Sequence, residues 1–424
     1  TPEFVVTGFG YPNLALEISN GRLSNRLSNS LFSDAQRKTI GVAACDVDGD
    51  GMEEVYFLNT DAYSGEKVLA DRLLDFGPEP NDLFEQGDNS VNLNLTAGRS
   101  VACVDRKGDG QYGIYVSNYG GPSRFYEVDG TEVEDISIQL GIDRTTGGRA
   151  VVSGHILGSR NDILAANERG ANFLYQNIDG RFLDRAVEYG VDDTTQNGRG
   201  TALADILYDG RLGIIIGNWN GYHRVYVPLR NSFLDYATDE FREPSKVRTV
   251  ISADFDNDGY DEIFFNNIGQ PNRMFRVREG GLLEPVLLSA ALEANGLGTG
   301  AAVADIDNDG VLDLLVAHGE SAPQPLSLFR ANIDSPGRYL RIAPLTDNGA
   351  PARGATVILE TNMRVHAKTI DAGSGYLCQM EPVAHYGLRT GEVIKSVSVR
   401  WTDGSENEVS VITENTVNTI RKER

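Results

Sequence analysis

The chain has 424 residues, room for two or more hydrophobic cores, and its 61 acidic against 38 basic side chains give a formal net charge of -23. That surplus excludes nucleic acid and anionic membrane surfaces as expected partners. Nothing approaches eighteen apolar residues in a row, so membrane insertion is not expected either.

The first element, EFVVTGFGYPNLALEI (3–18), reads as two β-arms that open in mid-strand, so further chain is expected ahead of it. The next is the loop DVDGDGMEE, which places carboxylates at positions 1, 3, 5 and 9 and glycine at position 6: Asp46, Asp48, Asp50 and Glu54 around Gly51. The pattern returns as DFDNDGYDE with Asp254, Asp256, Asp258 and Glu262, and as DIDNDGVLD with Asp305, Asp307, Asp309 and Asp313. Calcium takes six to eight oxygen ligands, and alternate carboxylates in a tight loop can converge on one such ion. Glycine at position 6 supplies the turn, and the carbonyls of Met52, Tyr260 and Val311 supply a further ligand. An EF-hand needs a glutamate at position 12 inside a helix. Here that position is Phe57, Phe265 or Val316, within VYFLN, IFFNN and LLVAH, so each loop joins two strands.

Loop starts at Asp46, Asp105, Asp205, Asp254 and Asp305 lie 59, 100, 49 and 51 residues apart. GRAVVSGHILGSRNDILAAN (148–167) fills the long gap, giving a period of about 50 residues, as in a propeller blade. The fold expected is all-β: a seven-bladed integrin-like β-propeller over 1–331, its first blade lacking an inner strand and loop, then a small β-sandwich over 332–424. In DRKGDGQYG (105–113) Lys107 takes position 3, where its ammonium could replace an ion. DILYDGRLG (205–213) has lost two ligands, and His155–Asp162 keeps only Asp162. Three Ca2+ ions are therefore expected, in blades 2, 6 and 7.

After Arg330 the repeat stops, and ANIDSPGR (331–338) reads as a linker. YLRIAPL, ATVILET, RVHAKTI, YLCQM, VAHYGL, SVSVRW, EVSVI and TVNTIR are short strand candidates, with Trp401 as the core anchor. The repeats resemble FG-GAP repeats, the integrin-type calcium-binding blades. RGATVILET and GSGYLCQMEPVAHYGL resemble the ASPIC/UnbV domain. With GVAACDVDGDGMEEVYFLN, AGRSVACVDRKGDG and DFDNDGYDEIFFNN, they are very similar to the cartilage acidic protein 1 family over nearly the whole chain. That resemblance implies a secreted calcium-binding propeller linked to extracellular matrix and receptor interaction. Vertebrate members also end in an EGF-like module; this chain ends at Arg424 without one, as in shorter, microbial members.

Arg99, Arg149, Arg199 and Arg248 each lie six residues before a first loop position and should ring the mouth of the channel on the face away from the loops. Asn59, Asn118, Asn167, Asn218, Asn266 and His318, with Tyr119, Trp219, Tyr222 and His223, should reach the same face. The ring suits a carboxylate or sulfate group; the competing reading has the arginines bonding neighbouring-blade carbonyls and the asparagines closing turns. No G-x-S-x-G, HExxH, Walker or GxGxxG context appears, and the five histidines sit in different units. The expectation is a secreted, calcium-stabilised interaction or adhesion protein without catalytic activity, its partner a protein or an anionic glycan; a bacterial member would sit in the periplasm or at the cell surface. The alternatives are a calcium-dependent polysaccharide lyase or hydrolase and a self-associating matrix component. Cys45, Cys103 and Cys378 lie in apolar contexts and read as buried free thiols.

Overall fold

A computed structural model describes residues 4–19, 22–27, 30–77, 80–319, 321–333 and 335–423. Among them, the strands of the seven blades form six antiparallel sheets along the chain, because Gly113–Pro122 of blade 3 pairs with Thr145–Gly154 of blade 4 and joins those two blades into one sheet. Blades 2 to 7 begin with the strands Thr39–Cys45, Gly98–Val104, Thr145–Gly154, Gly198–Ala204, Val247–Ala253 and Gly298–Ala304. These first strands pack side by side from blade to blade around the channel. Their small residues (VAAC, VACV, TALA, GAAVA) allow that approach, while larger aliphatic and aromatic residues of the second and third strands fill the spaces between blades.

Blade 1 has the three strands Phe4–Val6, Leu14–Ser19 and Arg22–Asn25. Phe4 and Leu16 pack with Ala304, Ile306 and Leu315 of blade 7, while Ala15 and Phe32 pack with Phe57 and Leu74 of blade 2. The ring thus closes through side chains, and among the described residues no strand pairing joins blade 1 to blade 7. Glu3 and Asp334, within the expected first arm and linker, lie outside the described residues.

The C-terminal part is a sandwich of two sheets. One contains Ala384–Leu388, Arg338–Leu345 and Val417–Arg421; the other Val365–Thr369, Thr356–Thr361, Ile394–Arg400 and Glu406–Glu408. Trp401 is buried in the shared core, and its indole N–H donates to Asn407 Oδ1 at 2.7 Å.

Two expectations fail here, besides EVSVI (408–412), of which only Glu408 lies in a strand. YLCQM is not a strand: residues 371–381 form a loop that leaves the sandwich and enters the propeller channel. Cys103 N donates to Ala372 O at 2.7 Å, and Thr201 and Gly375 exchange both backbone bonds at 2.7 Å. The Gln379 amide pairs with Ala44 through both its oxygen and its nitrogen, at 2.9 and 3.0 Å, and Glu381 N donates to Val303 O at 3.2 Å. The loop supplies strand-like partners to backbone groups that the channel would otherwise leave buried and unpaired. Second, Cys45 and Cys103 are not free thiols but a disulfide between the first strands of blades 2 and 3, whose Cα atoms lie 6.3 Å apart. The sequence hid this because the cysteines are 58 residues apart and meet only when the blades pack. Cys378 is free and buried in the channel loop.

Candidate metal loops and the arginine mouth

In blade 2, Asp46 is fully buried, and its two oxygens accept from Gly49 N at 2.7 Å and Gly51 N at 3.0 Å. Asp48 and Asp50 accept from the backbone two residues on, and Glu54 Oε2 accepts from Val47 N at 2.8 Å. Gly51 has φ +92°, and a Cβ there would lie 2.7 Å from Asn348 O, so the turn admits only glycine. Asp46, Asp48 and Asp50 each bring an oxygen within 4.8 Å of the others, as do Asp254, Asp256 and Glu262, and Asp305, Asp307 and Asp309. Asp258 and Asp313 complete the acidic sets, and Tyr260 and Val311, like Met52, donate their N–H to the position 5 carboxylate.

These donors fit a hard cation. Glu54 Oε1 and Asp254 Oδ1 are buried oxygens with no hydrogen-bond partner, which a metal ligand set would satisfy. Burial, and then the neighbouring carboxylates, push Glu54 up to about 8 and Asp46 up to about 6. The other two loops carry their own cations. Arg276 pairs with Asp256 and Glu262, and Arg330 spans Asp307, Asp309 and Asp313 at 2.7 to 3.0 Å. In blade 2 the carboxylates face one another and backbone N–H groups instead, so this loop gains most from an ion. Because Glu54 holds its proton below about 8, calcium binding at pH 7 should release about one proton. Affinity should then rise with pH between about 6 and 8. Calorimetry in buffers of different ionisation enthalpy checks this; no buffer dependence would contradict it.

Loops 105–113 and 205–213 adopt the same turn, with Asp105 and Asp205 accepting from Gly110 and Gly210. Lys107 does not replace an ion: its ammonium points outward to Glu127 at 3.0 Å, because Arg106 already draws that carboxylate beside it. Position 1 has a second use that the repeat pattern concealed. Asp105 accepts from Thr402 Oγ1 at 2.5 Å, Asp205 from Ala367 N at 3.0 Å, Asp254 from Gly387 N at 2.9 Å and Asp305 from Arg341 Nη1 at 2.7 Å. In blade 4 His155 Nδ1 meets Thr356 Oγ1 at 2.8 Å. The sandwich therefore sits on the loop face, and five blades present their first loop residue to it.

The four arginines form an arc over the channel end opposite that seam. Arg99 and Arg149 lie against the rings of Tyr63 and Tyr119, with Arg149 4.3 Å from the Tyr119 centroid. Arg149 Nε and Arg199 Nη2 both donate to Glu168 Oε2, at 2.7 and 2.9 Å. Arg199 and Arg248 share Trp219 at 4.9 and 4.6 Å. Arg99 also donates to the carbonyl of Tyr63 in the neighbouring blade 2 and to that of Gly98 beside it in its own strand. Burial alone would raise the Tyr376 phenol at the tip of the channel loop; the guanidiniums of Arg149, Arg199, Arg99 and Arg248 outweigh it and hold it below the usual tyrosine range.

The asparagines close turns. Asn59, Asn118, Asn167 and Asn218 donate to the carbonyls of Ala70, Pro122, Ala171 and Tyr222. Asn267 does the same in blade 6, whereas Asn266 donates to Gly300 O. His318 meets Pro325 O. His223 does not join the mouth: it is fully buried against Phe265, and its Nδ1 accepts from Asn218 N. Tyr222 is exposed. Sequence reasoning missed Glu168, Tyr63 and Tyr376 as partners of the arc. Glu168 directly follows a repeat asparagine, and Tyr376 lies in the glycine-rich GSGYLCQ segment, but neither position indicates where its side chain goes.

The FG-GAP-like repeat family matches residues 254–316, and ASPIC and UnbV matches 345–424. Cartilage acidic protein 1 from Homo sapiens is 47% identical over 447 residues, covering 95% of this chain and 67% of that protein. The Mus musculus protein of the same name is 46% identical, covering 97% and 70%. A solved Agrocybe aegerita lectin specific for non-reducing terminal N-acetylglucosamine is similar at 14% identity and TM-score 0.47, covering 77% of this chain and 90% of its own. At that distance it carries nothing about ligand. Identity and coverage of the curated relatives decide the matter: the chain belongs to the cartilage acidic protein 1 family.

Proposed function

We propose that the protein is a secreted, calcium-braced interaction protein of the extracellular matrix, without catalytic activity. It divides into a propeller (1–331) that presents the recognition face and a cap domain (332–424) that locks the opposite face. The observation that carries this reading is the placement of the acidic loops at the seam between the two parts, where three Ca2+ ions would stiffen the turns that hold the cap. Asp46, Asp48, Asp50, Met52 and Glu54 would hold one ion; Asp254, Asp256, Asp258, Tyr260 and Glu262 the second; Asp305, Asp307, Asp309, Val311 and Asp313 the third. The disulfide supports an oxidising compartment, and the relatives' name ties them to cartilage. The partner would meet the face carrying Arg99, Arg149, Arg199 and Arg248.

The histidines speak against acid–base work. His155, His223, His366 and His385 are each buried and held below the usual range, first by burial, and His318 is tied to Glu293. Binding to a glycan and matrix-protein array in calcium, with a parallel assay for sugar release, tests the proposal. Retention without turnover is the expected result; sustained release of product from any polysaccharide would replace it with the lyase or hydrolase reading.

A further inference from the structure

We propose that the blade 3 loop 105–113 and the Cys45–Cys103 disulfide form a brace that presets the blade 2 calcium loop, so that calcium binding there and the oxidation state of that disulfide are linked. This rests on the reading of the acidic loops as calcium sites, and it gives one of the three sites positioning residues from a neighbouring blade.

The first argument is what keeps an acidic turn closed. Asp46, Asp48 and Asp50 bring oxygens within 4.8 Å of one another, and carboxylates that close repel. Blades 6 and 7 counter this with Arg276 and Arg330, each spanning the carboxylates of its own loop. Among the described residues blade 2 has no cation in that position, and its carboxylates are met by backbone N–H groups alone.

Blade 3 holds that loop instead, at three consecutive residues. Cys45 is bonded to Cys103. Asp46 O accepts from Tyr112 N at 2.9 Å, and Val47 O accepts from Gln111 Nε2 at 2.8 Å. Both donors belong to the loop that carries Lys107 and Gly113 where ligands would stand, so a loop that has lost its own site serves its neighbour's. They are fixed in turn. Gln111 also donates to Val128 O, and the Tyr112 hydroxyl donates to Arg353 O of the sandwich at 2.9 Å, whose guanidinium pairs with Glu53.

Register makes Cys45 the central residue. It directly precedes Asp46 and is the cross-strand partner of Glu54, so one backbone position anchors the first and the last ligand of the set. At the same register blades 6 and 7 have Ala253 opposite Glu262 and Ala304 opposite Asp313, where no covalent tie can form. A ligand set already held in its bound arrangement loses less freedom when the ion arrives. Groups that orient metal ligands change affinity by about 10- to 100-fold. The coupling is reciprocal: a bond that favours the loaded loop is itself favoured by the ion. Both cysteines are buried, so reduction requires the two blades to part.

The test treats the oxidised full chain with dithiothreitol, in calcium or in EDTA, and counts the Cys45 and Cys103 thiols by alkylation and mass spectrometry. The dithiol supplies the two electrons and two protons that open the bond, and closes to its own disulfide. Calcium should slow the reduction by about tenfold. Glu54→Gln should abolish most of that protection, whereas Glu262→Ala, in blade 6, should keep it. In calorimetry, Cys45→Ala combined with Cys103→Ala should weaken one of the three ions by about tenfold and leave the other two. Gln111→Ala, at a half-buried side chain, retains the disulfide and every ligand and should weaken the same ion by about threefold, which keeps the test open if the cysteine variant fails to fold. Reduction at one rate with and without calcium overturns the proposal. So does protection lost equally in the two glutamate variants, or equal weakening of all three ions, since either would reflect general stabilisation of the fold. No calcium binding by the oxidised parent removes the calcium reading itself.

Discussion

Chelation should lower the melting temperature of the calcium-loaded protein by on the order of 10 °C. A ligand held at a hundred times its dissociation constant stabilises the folded state by about 3 kcal/mol per site, and three loops have the donors. The effect should be uneven. Glu54 Oε1 in blade 2 and Asp254 Oδ1 in blade 6 are both buried without a hydrogen-bond partner, but in blades 6 and 7 Arg276 and Arg330 remain among the carboxylates when an ion leaves, whereas in blade 2 backbone N–H groups take that place. Glu54→Gln should therefore remove a larger part of the shift than Glu262→Ala, each leaving the other loops intact. Scanning calorimetry with and without EDTA decides it, and an unchanged melt would refute structural calcium.

Gly373→Ala should cost about 3–5 kcal/mol and loosen the channel loop. Gly373 has φ +125°, where a side chain is strained, and a Cβ there would sit 2.6 Å from Val101 O and 2.8 Å from Ala102 Cα. These are backbone atoms of blade 3 and have no room to yield. The loop would have to withdraw, releasing the bonds from Cys103 to Ala372 and between Thr201 and Gly375. Limited proteolysis should then cut within 371–381, a stretch the parent protects, and the melt should fall. A variant as stable and as resistant as the parent would show that the loop does not seat this way. The same substitution would displace Tyr376, so the arginine mouth and the domain seam should fail together.

Local chemistry explains what could be read from the chain. A nine-residue loop carries its own ligands and its own turn glycine, so Asp46–Glu54 announces its chemistry without any distant residue. Repetition at about 50 residues then counts the blades, because each blade repeats the same burial problem. Tertiary partners had to be seen. Cys45 and Cys103 read as thiols because nothing near either one indicates the other. Lys107 matched a ligand position by register, yet side-chain direction sent it to Glu127. YLCQM has the composition of a strand, and the channel recruited it as a loop whose bonds are shared between the blades, as from Gln379 to Ala44, and its own segment, as from Ser374 to Cys378.

The sequence by itself determined the all-β class, the seven-blade plan, the acidic loops and the four arginines at one register, because all of these follow from periodicity and short-range stereochemistry. Only the tertiary structure decided that the loops face the sandwich, that the cysteines pair, and that Tyr376 stands among the arginines. Those facts depend on contacts between residues as much as 335 positions apart, as between Ala44 and Gln379, and no local pattern encodes such a meeting. They come from burial: the channel and the loop face both need covering, and one loop from the second domain reaches the far end of the first.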